Sequence, residues 1–228
     1  MLKFLPLLLA IGYGLAMYHF SAWRTKRMLD EKSRPLDEPE INALASRMAR
    51  ALDIPGIPVR VFDVDPVNGL ASPDGRIFLT RGFLRKYKAG EVTAAELTSV
   101  IAHELGHVAL GHARRRMIDF TGQNAGVMML SAVLNRFLPG LGPMIASLIT
   151  RTLAAHLSRR DEHEADAYAS ALLVKAGIGT APQKSLFRKL NALTGANGAA
   201  APAWLLSHPK TEERIRAIEA REARWDQA

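Results

Sequence analysis

The chain has 228 residues, 48% of them hydrophobic, and a formal charge of +8; that is enough for one sizeable domain plus an anchor. It contains no cysteine, which excludes disulfides and thiolate chemistry and leaves nitrogen and oxygen as the donors for any metal. The basic clusters at Arg24, Lys26 and Arg27, at Arg114 to Arg116 and at Arg159 and Arg160 come with no interleaved aromatic platform or nucleic-acid motif. They argue against nucleic acid as a partner and fit anionic membrane lipid.

Phe4 to Trp23 holds 20 residues without a formal charge, long enough to cross a bilayer as a helix. Tyr18 and Trp23 suit an interface, and the basic cluster comes directly after them. A cleaved signal peptide is the alternative, with Lys3 as its n-region and Gly14-Leu15-Ala16 as its cleavage site. The apolar run continues past that site, which favours a single-pass anchor over residues 1–23. Arg24, Lys26 and Arg27 outweigh Lys3 and the terminal amine by about one charge, so the positive-inside rule turns the rest of the chain toward the cytoplasm of a bacterial inner membrane. The periplasmic side is the alternative.

Residues 24–40 are charged and carry Pro35 and Pro39, a linker composition that separates the anchor from a domain over 41–228. Ile41 to Ala51 has helical spacing, and Val59 to Val64 alternates as a strand. Asp74-Gly75 is a hairpin signal ahead of a second strand, Arg76 to Thr80. Together these predict a small antiparallel sheet.

Thr93 and Glu96 read as a capping box opening a helix from about Ala94 to Ile118. At its centre lies His103-Glu104-Leu105-Gly106-His107. Two imidazoles four residues apart project from one helix face and can bind one metal, while Glu104 lies where it can take a proton from a bound water. Gly106 costs about 1 kcal/mol against Ala in a helix interior; its presence implies a close neighbour or room needed at the metal face. His112, nine residues past His103, points to the opposite side if the helix continues, as a surface or second-contact residue.

The apolar interval from Gly126 to His156 is broken at Asn135-Arg136 and at Pro139 to Pro143 into pieces short for membrane spans. Two helices packed over the site are expected there. A strong helical pattern then runs from about Arg151 to Ala176 and stops at Gly177. It carries Glu162 and Asp166 on one face, with Ala165 and Ala169 small enough for close packing. Glu162 can supply a third metal ligand, and Asp166 can accept the outer N–H of a ligating histidine. Spacing leaves Asp161, His163 and Glu164 open as rival ligands, and a solvated face is the bland alternative. Residues 194–203 read as a loop, and Thr211 to Arg224 as a charged helix.

The HELGH motif, with the Glu of SRRDEHEADAYA 55 residues beyond it, resembles the HtpX-like family of membrane-associated zinc metallopeptidases, which includes CAAX prenyl and mitochondrial OMA-type proteases. Pro66 to Ala71 through Arg76 to Gly82 is similar to that family's "PNAFA…G.I.V..G" hairpin, with Gly69 a departure. Ser207-His208-Pro209 with Glu213-Arg214-Ile215 is similar to its C-terminal "HP…ERI". The resemblance implies one zinc per chain held by His103, His107 and Glu162, with Asp166 as the supporting carboxylate. It implies a mostly helical α+β zincin domain of gluzincin type. Asn68, Gly69, Leu70 and Ala71 become the candidate strand for an extended peptide. His208 becomes a candidate donor to the tetrahedral oxyanion, with a structural role beside Pro209 as the alternative.

The expected activity is endopeptidase cleavage of protein or peptide substrates at a membrane, plausible for quality control. The alternative is a non-catalytic, zinc-stabilised chaperone or scaffold, against which the intact Glu104 counts. Prenyl processing fits less well, because family members with that role carry many spans. Nothing in the chain specifies an oligomer.

Overall fold

The computed structural model describes residues 26–72, 74–112, 140–193 and 211–225, with isolated positions besides. It is mostly helical with one four-stranded sheet. The strands are β1 (Ser33–Pro35), β2 (Val59–Phe62), β3 (Gly69–Ala71) and β4 (Ile77–Thr80), in the spatial order β1-β2-β4-β3. Helices with both ends among the described residues are α1 (Pro39–Ala51), α2 (Arg81–Lys88), α3 (Ala94–Ala109), α4 (Gly142–Lys175), α5 (Ala181–Leu193) and α6 (Thr211–Trp225).

The sheet is mixed rather than antiparallel. β2 runs parallel to β4, with Val59 opposite Ile77, while β1 and β3 lie antiparallel to their neighbours. The Asp74-Gly75 signal does close a hairpin, but its first strand is β3. The chain leaves β2 for the sheet edge, makes β3, and returns through that turn to insert β4 between them. β4 (Ile-Phe-Leu-Thr) is buried at every position, as suits a central strand covered on both faces. Part of the expected linker is also structured. Residues 26–31 are helical and Ser33–Pro35 form the edge strand β1, where a short strand ending in proline is tolerated.

α3 opens with the expected capping box: Thr93 Oγ1 accepts from the Glu96 N–H at 3.2 Å, and the Thr93 N–H donates to Glu96 Oε2 at 2.8 Å. Ser185 and Lys189 of α5 also donate to the Glu96 carboxylate, at 2.6 and 2.9 Å, tying the start of α3 to α5. Leu97, Val100, Ile101 and Ala102 are buried in a core shared with Ile41 and Met48 of α1, Leu79 of β4, Phe83 of α2, Leu173 of α4, Leu186 of α5 and Ile218 of α6. α3 therefore stands at the centre of the fold, its whole circumference covered through most of its length.

α3 ends at Ala109, well short of Ile118. Gly111 adopts φ +66°, a left-handed conformation suited to glycine just past a helix end. Further on, the second half of the apolar interval belongs to α4, a single helix of 34 residues starting at Gly142. Residues 126–139 lie almost wholly outside the described residues, as do 194–210, which include the expected loop and His208. Within the expected anchor, 4–23, only scattered positions are described, and among the described residues no helix is long and apolar enough to cross a membrane. The short helices α2 and α5 carry weak sequence signals. α2 owes its start to Thr80, whose hydroxyl accepts from the Phe83 N–H at 3.3 Å.

α3 and α4 pack backbone to backbone at one point. A Cβ on Gly106 would lie 3.0 Å from the Ala165 carbonyl oxygen and 3.1 Å from its Cα. Ala165 and Ala169 are fully buried. The glycine in the motif thus sacrifices helix propensity so that the second helix can come close.

Candidate active site

Close packing at Gly106 brings the acidic run of α4 against the motif of α3. His103, Glu104 and Glu162 are only 2%, 3% and 3% exposed. His103 Nε2 and His107 Nε2 lie 3.1 Å apart. Glu162 closes the triangle, with Oε2 3.4 Å from His103 Nε2 and Oε1 3.5 Å from His107 Nε2. Zinc bound at about 2.0–2.1 Å by a tetrahedral donor set places its ligand atoms about 3.3–3.4 Å apart. Two imidazole nitrogens and a carboxylate at these separations fit such an ion.

The outer face of His103 is held by charge. Its Nδ1 lies 2.9 Å from Asp166 Oδ1. Asp166, fully buried, receives both branches of Arg214 from α6, Nε to Oδ2 at 2.6 Å and Nη2 to Oδ1 at 2.7 Å. Arg214 is itself 1% exposed and stacks over Phe187, 4.3 Å from the ring centroid. Burial pushes the Asp166 pKa up, but the Arg214 charge and its hydrogen bonds reverse this and hold the carboxyl far below its usual range. Burial pushes His103 down, and the hydrogen bonds of Asp166 and Glu162 lift it to about 9. Two carboxylates, the ionised Asp166 and Glu162, therefore flank this imidazole, a donor-rich setting for a cation.

Residues 35–222 match peptidase family M48. The chain belongs to that family. This M48 chain is 30% identical over 217 residues to metalloprotease LoiP of Escherichia coli K12, spanning 90% of its own length and 82% of that protein. It is 29% identical over 180 residues to metalloprotease YcaL of the same organism, covering 77% of itself and 68% of YcaL. With the human mitochondrial metalloendopeptidase OMA1 it shares 26% identity over 175 residues, which cover 72% of this chain and 33% of OMA1. These matches establish a metalloprotease family; they do not single out its HtpX-like and CAAX branch.

The other acidic neighbours on α4 of the M48 chain point elsewhere. Asp161 is buried with Oδ1 3.8 Å from His112 Nε2, and Glu164 Oε2 lies 3.3 Å from the same nitrogen. His163 faces Glu213 of α6 at 3.7 Å and is partly exposed. His112 is not on the far side of a helix: because α3 stops at Ala109, the chain folds back and buries it at 1% exposure beside His107. The strand Gly69–Ala71 lies at the sheet edge against α3. A Cβ on Gly69 would lie 2.5 Å from Val100 Cγ1 and 3.4 Å from Glu104 Oε1, so the departure from the resembled pattern has a steric cause. Asn68 precedes this strand, its N–H donating to Thr80 Oγ1 at 3.0 Å. Arg214 was legible only as part of the ERI match, which assigned it no role.

Proposed function

We propose that this M48 metalloprotease is an HtpX-like, membrane-anchored zinc endopeptidase of gluzincin type, acting on extended segments of protein substrates, including those met in quality control. One zinc would be held by His103, His107 and Glu162. The reading rests above all on the three donor separations of 3.1, 3.4 and 3.5 Å with Glu104 one residue from the first ligand.

Zinc, when bound, supplies Lewis acidity toward the scissile carbonyl and the attacking water. Glu104 takes the water's proton on its carboxylate and returns it to the leaving nitrogen, acting first as base and then as acid. Asp166 accepts the Nδ1–H of His103, fixing its tautomer so that Nε2 faces inward, and Arg214 keeps Asp166 ionised and in place. An extended substrate adds to the open edge of β3, where its backbone runs beside Glu104. His208 is assigned the oxyanion on the strength of the resemblance alone.

The test is metal content paired with cleavage of an unfolded protein such as casein. One zinc per chain and chelator-sensitive cleavage are expected. Cleavage by metal-free protein would overturn the mechanism, and zinc-loaded protein that leaves casein intact would favour the scaffold.

Residues 1–23 are proposed as the anchor, with the domain on the cytoplasmic side because the basic flank lies just past Trp23. Alkaline phosphatase, active only after export, fused after Ala228 in a bacterial host should be silent though expressed and membrane-bound. Strong phosphatase activity would reverse the orientation.

A further inference from the structure

The outer nitrogen of His103 reaches a carboxylate directly; His107 is braced differently. Its outer nitrogen, Nδ1, faces Nδ1 of His112 at 2.8 Å, with the two rings edge to face at 71°. His112 Nε2 then lies 3.3 Å from Glu164 Oε2, and the other oxygen of Glu164 accepts from Arg160 Nε at 2.8 Å. The two candidate ligands thus end alike, in a carboxylate braced by an arginine. On the His103 side the path is Asp166 and Arg214; on the His107 side an extra imidazole is interposed.

Proton accounting fixes the direction of the second path. Two ring nitrogens 2.8 Å apart share one proton, since a neutral imidazole has one donor and one acceptor. If His107 gives Nε2 to zinc, its Nδ1 carries the hydrogen and donates to His112 Nδ1. The hydrogen of His112 must then sit on Nε2, directed at Glu164. We infer that His112 is a positioning residue for the metal site: it accepts the outer N–H of His107, fixes that ring's tautomer and orientation, and is itself anchored by Glu164. This rests on the zinc reading above. His112, Asp161 and Glu164 also converge closely enough to hold an ion, but in the tautomer required when His107 is a ligand, His112 Nε2 is a donor and has no lone pair to offer a metal.

The experiment compares His112→Asn with His112→Gln in the full chain, measuring zinc affinity by chelator competition alongside thermal unfolding and zinc stoichiometry. Asn places its amide oxygen near the Nδ1 position and keeps the acceptor for His107. Gln reaches the Nε2 position, keeps the contact with Glu164 and loses the one with His107. Zinc affinity should fall about 10–100-fold in the Gln variant, the usual loss of an outer partner, and within roughly threefold in the Asn variant. Equal affinity in the two variants, or tighter binding by Gln, overturns the inference. Two zinc ions in the parent chain with one lost in both variants also overturns it, by making His112 a ligand. A parent chain that takes up no zinc fails the zinc reading first and this inference with it.

Discussion

Glu104→Gln is expected to retain zinc and lose about 10³–10⁴-fold in peptidase rate, the upper range for a positioned proton carrier. The substitution preserves shape at a position that is 3% exposed and packed close to Gly69. It replaces an acceptor oxygen with a neutral NH2 donor and so removes the ability to accept the water's proton. The predicted loss corresponds to about 4–5.5 kcal/mol of barrier. Metal content and casein cleavage on the same preparation decide the matter; a zinc-loaded Gln variant that cleaves at near the parent rate would end the proposed role of Glu104.

Glu162→Ala should weaken zinc binding by more than about 100-fold, beyond the 10–100-fold typical of outer partners. Asp161→Ala and Glu164→Ala should each lose less. Glu162 alone of the three has oxygens 3.4 and 3.5 Å from the inward nitrogens of both histidines. Asp161 and Glu164 face His112 instead. Equal zinc occupancy in all three variants would remove Glu162 from the ligand set.

Features encoded within one or two turns of helix are readable from the residues. The capping box of Thr93 and Glu96 lies within four consecutive residues, and the facing of His103 and His107 comes from helical period alone. Ala165 and Ala169 announce close helix packing because small side chains on one face have few other reasons to recur there. Partner choice across the chain is not readable in the same way. Asp74-Gly75 specifies a tight turn but carries no information about which earlier strand pairs with β4, and β3 has only three residues. Arg214 looks like any solvent-facing charge on α6; its burial depends on Asp166, 48 residues away. His112 is a different case, since Gly111 is a visible stop signal and a helix reaching Ile118 has to pass straight through it.

Arg214 lies 111 residues beyond His103 and braces it through Asp166. That separation sets a timetable for synthesis. A nascent chain that has emerged only through α3 has the HExxH segment but no acid to complete a metal triangle. One that has emerged through α4 has Glu162, yet its Asp166 lacks the guanidinium that offsets the desolvation of a fully buried carboxylate. On the zinc reading proposed above, high-affinity metal capture waits for α6, because a site scattered along the sequence gains its affinity only as the fold closes.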